Sequence, residues 1–103
     1  MFAYTVTAQF DDEAVAQEYV HWLTELKHLQ LVVDGGARRA ELVRVSPTHL
    51  EVRYLFSDEA AFRAYEAGPA VALRADGLAR FPATRGVKMS RATGTLLAKL
   101  GSA

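Results

Sequence analysis

The sequence contains no cysteine in its 103 residues. Disulfide frameworks, thiol nucleophiles, iron–sulfur ligation and thiolate zinc sites are therefore excluded. There is no surplus of charge either, because 12 Lys and Arg balance 12 Asp and Glu. A general nucleic-acid binder carries a basic excess, so this balance argues against one. It also gives little electrostatic protection against self-association, a hint toward an oligomer. No run approaches the roughly 20 apolar residues that span a bilayer. The opening stretch MFAYTVTAQFDDEAV lacks a basic n-region, a long apolar core and a small-residue cleavage site. The expectation is a soluble, cytoplasmic protein without a membrane partner. Internal repeats and low-complexity segments are absent.

What is present is an ordinary globular composition, 50% apolar and 23% charged. At this length one domain is expected, since two would each be too small to bury a core. We place it at residues 1–93, with 94–103 as a short tail. Phe2 to Gln9 alternates, with Phe2, Tyr4, Val6 and Ala8 on one face, and reads as a half-buried strand. Asp11 offers an N-cap, with Asp12 and Glu13 in the first turn. Val15, Tyr19, Trp22, Leu23 and Leu26 then form one helical stripe, and Asp34-Gly35-Gly36 makes the exit turn.

Ala40–Ser46 and His49–Phe56 read as a hairpin around Pro47. In its second arm Leu50, Val52, Tyr54 and Phe56 share a face. Ser57 is placed to cap the next helix, whose buried side is Phe62 and Tyr65. Gly68-Pro69 interrupts that helix, and it resumes with Val71, Leu78 and Phe81 as anchors. Arg85 to Ala92 is the last strand. The order βαββαβ implies an α+β, ferredoxin-like fold: a four-stranded antiparallel sheet with two helices on one face. The face carrying Tyr4, Val6, Val52 and Tyr54 should meet the helices. The other, with Thr5, Thr7, Glu51 and Arg53, needs a cover, and a second copy of the chain is the economical one.

The aromatic residues Tyr4, Tyr19, Trp22, Tyr54 and Tyr65 converge by pattern between sheet and helices. A buried tyrosine needs a partner for its hydroxyl, so the set suits either a polar-lined ligand cleft or a core with hydroxyls at its edge. The histidines add one sharper candidate. If the helix runs through Leu26, His28 lies at its C-terminal end, where the dipole favours an imidazolium. It could also serve as a general base or hydrogen-bond donor at the mouth of the cleft. His21 falls on the wet side, two helical turns from His28 and too far away to share an ion, and His49 is expected to be solvated in the hairpin turn. We therefore expect no metal and no cofactor.

Several other readings fail on residues. HLEVRYLF has no glycine and keeps its aromatics on the apolar face, unlike an RNA-recognition strand. Asp34-Gly35-Gly36 precedes a strand rather than a helix and cannot cradle phosphate. No serine stands in a nucleophile elbow. An ACT-like regulatory module stays open.

YTVTAQFDDE, the helix with Trp22, HLQLVVDGG, VRYLFSDEAAFRAY and GPAVALRADGLARF follow one another in an order that resembles the uncharacterised bacterial family called domain of unknown function 4286. The resemblance spans about residues 2 to 92. It implies membership of the dimeric α+β barrel superfamily, in which two ferredoxin-like units face their sheets together. That superfamily holds cofactor-free monooxygenases of antibiotic biosynthesis, haem enzymes, lactone isomerases and stress-response binders, so it implies a homodimer more strongly than a reaction. The leading expectation is a homodimeric small-molecule-binding protein or cofactor-independent enzyme of the antibiotic-biosynthesis-monooxygenase type. Its pocket would be lined by Tyr4, Trp22, Tyr54 and Tyr65, with His28 at the rim. The alternative is a structural or protein-interaction dimer without a pocket, whose tail residues Leu96, Leu97 and Leu100 dock on the partner.

Overall fold

The computed structural model describes residues 1–101. Strand β1 (Phe2–Phe10) leads through helices α1 (Glu13–Thr24) and α2 (His28–Asp34) to the hairpin β2 (Arg39–Ser46) and β3 (His49–Phe56). Helices α3 (Glu59–Ala67) and α4 (Pro69–Arg80) and a 3-10 turn (Ala83–Arg85) then lead to β4 (Val87–Thr95). All pairings are antiparallel and the sheet order is β2-β3-β1-β4. This is the expected split βαβ arrangement, except that each helical crossover is broken into two helices. The first break is at Lys27, which takes a left-handed conformation (φ 65°). The second is at Gly68, as its sequence suggested.

The helix starts correct two of the expected caps. Asp12, not Asp11, caps α1: its Oδ1 accepts from the Ala14 N–H at 2.8 Å. Asp11 is still tied to the sheet, its N–H donating to the Gly86 carbonyl at 3.0 Å. At α3 the extended backbone persists through Asp58 (φ −159°, ψ 178°). Asp58 therefore replaces Ser57 as the cap, accepting from the Ala61 N–H at 2.8 Å.

The core lies between the helices and the face bearing Tyr4, Ala8, Leu50, Val52, Tyr54 and Phe56, all buried. Register explains it. Tyr4 pairs with Tyr54, Val6 with Val52 and Ala8 with Leu50, so the even-numbered residues of both central strands share one side. Burying side chains of this size stabilises the fold by roughly 1.5–3 kcal/mol each. Ala16, Tyr19, Trp22 and Leu23 of α1, Phe62 and Tyr65 of α3 and Phe81 close the core from above.

Three expected anchors do not join it. Leu26 is half-exposed because α1 ends at Thr24. Val71 and Leu78 are exposed because α4 turns Ala70 and Leu73 inward instead, leaving only Phe81 of the expected trio buried. His49, expected in solvent, is half-buried as the first residue of β3, and its Nε2 is buried without a hydrogen-bond partner.

β4 starts two residues later than expected and is exposed along all but Val87. Of the expected tail, Gly94 and Thr95 complete β4, and Leu97 and Leu100 are almost fully exposed. Ser102 and Ala103 lie outside the described residues.

A candidate ligand cavity under the helices

An edge strand without cover leaves a gap between itself and the helices, and here the gap is a cavity of about 640 Å³. Its floor is β1 and β3, its roof is α1, α3 and α4, and its open side is β4. Tyr4, Trp22, His28, Tyr54 and Tyr65, the five residues singled out from sequence, all line it, together with Tyr19. A volume of this order suits a drug-sized molecule.

Each aromatic side chain is held by its neighbours. Tyr4 and Tyr54 sit opposite each other across β1 and β3 and stack with ring centroids 5.7 Å apart. Tyr19 meets Trp22 at 5.8 Å and Phe81 edge-on at 5.2 Å. Trp22 can lie flat under α4 because position 77 is glycine: a Cβ there would come within 3.1 Å of the indole Cη2. The indole N–H donates to Asp76 at 3.3 Å, which orients the ring.

The hydroxyls converge while lacking partners. Among the described residues, those of Tyr19, Tyr54 and Tyr65 have no hydrogen-bond partner in the protein, and none is sealed from the cavity. Burial and mutual proximity push all three pKa values up, that of Tyr65 to about 12. At neutral pH they are protonated donors. The Tyr4 hydroxyl is approached by Arg74 and, at 3.5 Å, by Arg91.

His28 is not at a helix C-terminus. It opens α2, just after the left-handed Lys27, and its ring stacks on Trp22 at 3.8 Å with the planes 23° apart. The dipole argument for an imidazolium is thereby reversed, since a helix start disfavours positive charge. Burial lowers the pKa to about 4, against the opposing pull of the Asp76 carboxylate. The imidazole is neutral at physiological pH and can accept a hydrogen bond or a proton from a bound molecule.

Sequence reasoning missed the charged part of the wall: Glu66, Arg74 and Arg91. For Arg91 a signal existed. Val87, Met89, Arg91 and Thr93 alternate onto the face that carries Tyr4 and Val6. The pairing of Glu66 with Arg74 crosses the break at Gly68 and has no helical spacing to betray it. Leu78 and Met89, both exposed, stand at the open side. Among the described residues no cluster of side chains has the make-up to hold a metal ion.

No protein-family model and no functionally curated protein matches the chain. Solved structures do. A dimeric ferredoxin-like protein from an uncultured marine organism superposes with a TM-score of 0.73 at 10% identity, over 98% of both chains. SnoaB, a cofactor-independent oxygenase from Streptomyces nogalater, gives 0.68 at 14% identity, over 98% of this chain and 97% of its own. A monooxygenase from the ActVA-Orf6 gene of Streptomyces coelicolor, in complex with the ligand nanaomycin D, gives 0.67 at 23% identity, over 98% and 92%. At such identities the likeness shows the fold alone: the chain has the ferredoxin-like α+β fold that these proteins share.

Proposed function

We propose that this protein binds a small planar molecule in the cavity between helices and sheet, and does so as a homodimer. The observation that carries the reading is the group of tyrosine hydroxyls at the cavity wall, those of Tyr19, Tyr54 and Tyr65, with no partner among the described residues. These hydroxyls open onto the cavity and bond neither backbone nor side chain among the described residues, which leaves them free to bond a molecule bound there. A ligand supplies the missing acceptors. The Tyr4 and Tyr54 rings on one side and the Trp22–His28 stack on the other offer aromatic surfaces for a flat body.

Chemistry of the cofactor-independent oxygenase type is consistent with this wall. A proton leaves an acidic carbon of the ligand for the His28 imidazole, whose low basicity restricts the step to a carbon acid strongly activated by conjugation into the ring system. The resulting carbanion is stabilised by hydrogen bonds from the protonated tyrosines and is open to dioxygen or to isomerisation. Two neighbours in fold are an oxygenase and a monooxygenase, which supports the reading by analogy.

The homodimer reading rests on the other sheet face. Among the described residues, Thr5, Thr7, Glu51 and Arg53 lie there without cover from a helix, and Arg53 pairs along its own strand with Glu51 at 3.0 Å. Facing sheets would complete a barrel, and a similar fold is described as dimeric. Membership of the uncharacterised family named above and a cytoplasmic setting belong to the same proposal; among the described residues no helix is long and apolar enough to cross a membrane.

A thermal-shift screen over flat aromatic and quinone-like compounds tests the reading. Hits whose shifts vanish in His28→Ala or Tyr54→Phe support it. A set with no stabilising compound favours the pocketless structural dimer instead.

A further inference from the structure

The charges of the cavity wall do not cancel. Its charged residues are Glu66, Arg74 and Arg91, two cations against one carboxylate. Glu66 is engaged by Arg74 through a short ion pair. Arg91 reaches Glu66 only at 4.0 Å and the Tyr4 hydroxyl only at 3.5 Å, both outside good hydrogen-bond range. The nearby carboxylate of Asp76 is held elsewhere, by Arg80 at 3.1 Å and by the Trp22 N–H at 3.3 Å. One guanidinium therefore stands at the open edge of the cavity, half-exposed and with no close carboxylate partner among the described residues.

The register fixes where that guanidinium sits. Arg91 pairs with Val6, and its neighbour Thr93 pairs with Tyr4, so Arg91 rises on the helix-facing side beside the Tyr4 phenol. A half-exposed arginine on an edge strand is ordinary when it faces water. Here it lines a cavity that also carries the rings of Tyr4, Tyr19, Trp22, Tyr54 and Tyr65.

We propose that the ligand is a planar monoanion, a ring system carrying one carboxylate or enolate oxygen group, and that Arg91 selects it by pairing with that group. The inference rests on the reading of the cavity as a ligand site and adds the chemical class of the ligand. The flat body lies among the tyrosines and the Trp22–His28 stack, and the charged end emerges at β4. A guanidinium suits this task because its planar fork matches a carboxylate, and a cavity wall of low polarity strengthens the pairing. Glu66 offsets the charge of Arg74, which leaves Arg91 as the one uncompensated cation of the wall among the described residues and so matches a ligand with a single anionic group.

Calorimetric titration of the full chain with 2-naphthoate and with its neutral isostere 2-naphthamide tests this. The naphthoate should bind at least ~10-fold more tightly. Arg91→Met should weaken naphthoate alone, equalising the two, while Arg91→Lys keeps part of the preference. Unchanged naphthamide affinity in Arg91→Met shows that the cavity is intact. Equal affinities in the unaltered protein, or a preference that survives Arg91→Met, would overturn the assignment and leave the ligand site standing. Binding of neither compound would remove the ligand site and the inference with it.

Discussion

The imidazole of His28 and the indole of Trp22 stack at 3.8 Å, joining the start of α2 to the end of α1 across the left-handed Lys27. This contact makes a histidine that sequence places at a helix C-terminus part of a cavity wall. It has a pH signature. The native state takes up the His28 proton only near pH 4, whereas an unfolded histidine does so near 6.5. The contribution to stability is complete above pH 6.5 and is lost as pH falls toward 4, because the unfolded chain binds more protons throughout that window. Discounted for partial solvent access, it amounts to ~1–2 kcal/mol. Urea denaturation of the unaltered protein and His28→Phe, at about pH 7.5 and about pH 4.5, should show the unaltered protein losing that much more. Equal losses would mean that the imidazole is not buried.

The tyrosines have the opposite signature. Burial raises the pKa of Tyr19, Tyr54 and Tyr65, so the native state holds their protons past the ordinary value of 10. Stability is full below pH 10 and falls as pH rises beyond it. Absorbance near 295 nm should therefore show these three phenols ionising together with alkaline unfolding, not before it. A smooth rise through about pH 10 in folded protein would place the hydroxyls in open water.

The helix caps give a local test. Asp58→Ala should cost about 1 kcal/mol by thermal denaturation, because the Ala61 N–H loses its acceptor. Ser57→Ala should cost almost nothing. Equal costs would mean that both side chains share the cap.

Those caps also show what was legible in the sequence. Strand alternation located the sheet and its buried face, since a period of two gives residues such as Val52 and Tyr54 no second option once their neighbours are apolar. It likewise brought Tyr4 and Tyr54 to one layer. Helix phase was less legible. Val71 and Leu78 are apolar, yet the helix turns Ala70 and Leu73 toward the core and packs closely on Trp22 at Gly77. The break at Lys27 was hidden because lysine carries no turn signal. Arg91 was passed over although its alternation with Val87 and Met89 puts it on the helix-facing side, because β4 beyond Val87 is exposed and a charged residue there looks like solvated edge.

Gly77→Ala separates packing from propensity. Alanine favours the helix by about 1 kcal/mol, but its Cβ would press on the indole at 3.1 Å. The two effects nearly cancel, so net stability should move by less than ~1 kcal/mol. The emission of Trp22, the only tryptophan in the chain, should still shift as the ring is displaced. Unchanged emission would contradict the packing of α4 on Trp22.

The second subunit is tested in solution. Light scattering at micromolar concentration should give twice the 11.3 kDa chain mass. Thr5→Asp together with Thr7→Lys, at the centre of the open sheet face, should return it to one chain mass without loss of helical circular dichroism. A monomeric unaltered protein would contradict the barrel.

The central claim is that a small planar molecule occupies the cavity under the helices. The single tryptophan gives one indole N–H resonance, and that group lies in the cavity wall hydrogen-bonded to Asp76. Following this resonance while titrating 2-naphthoate into isotopically labelled protein is the most direct measurement. The expected result is a saturable shift of the indole signal, accompanied by shifts at Tyr4, Tyr54 and Arg91 but not at Thr5 or Thr7 on the open face. An indole signal that stays in place, or shifts confined to the open sheet face, would contradict it.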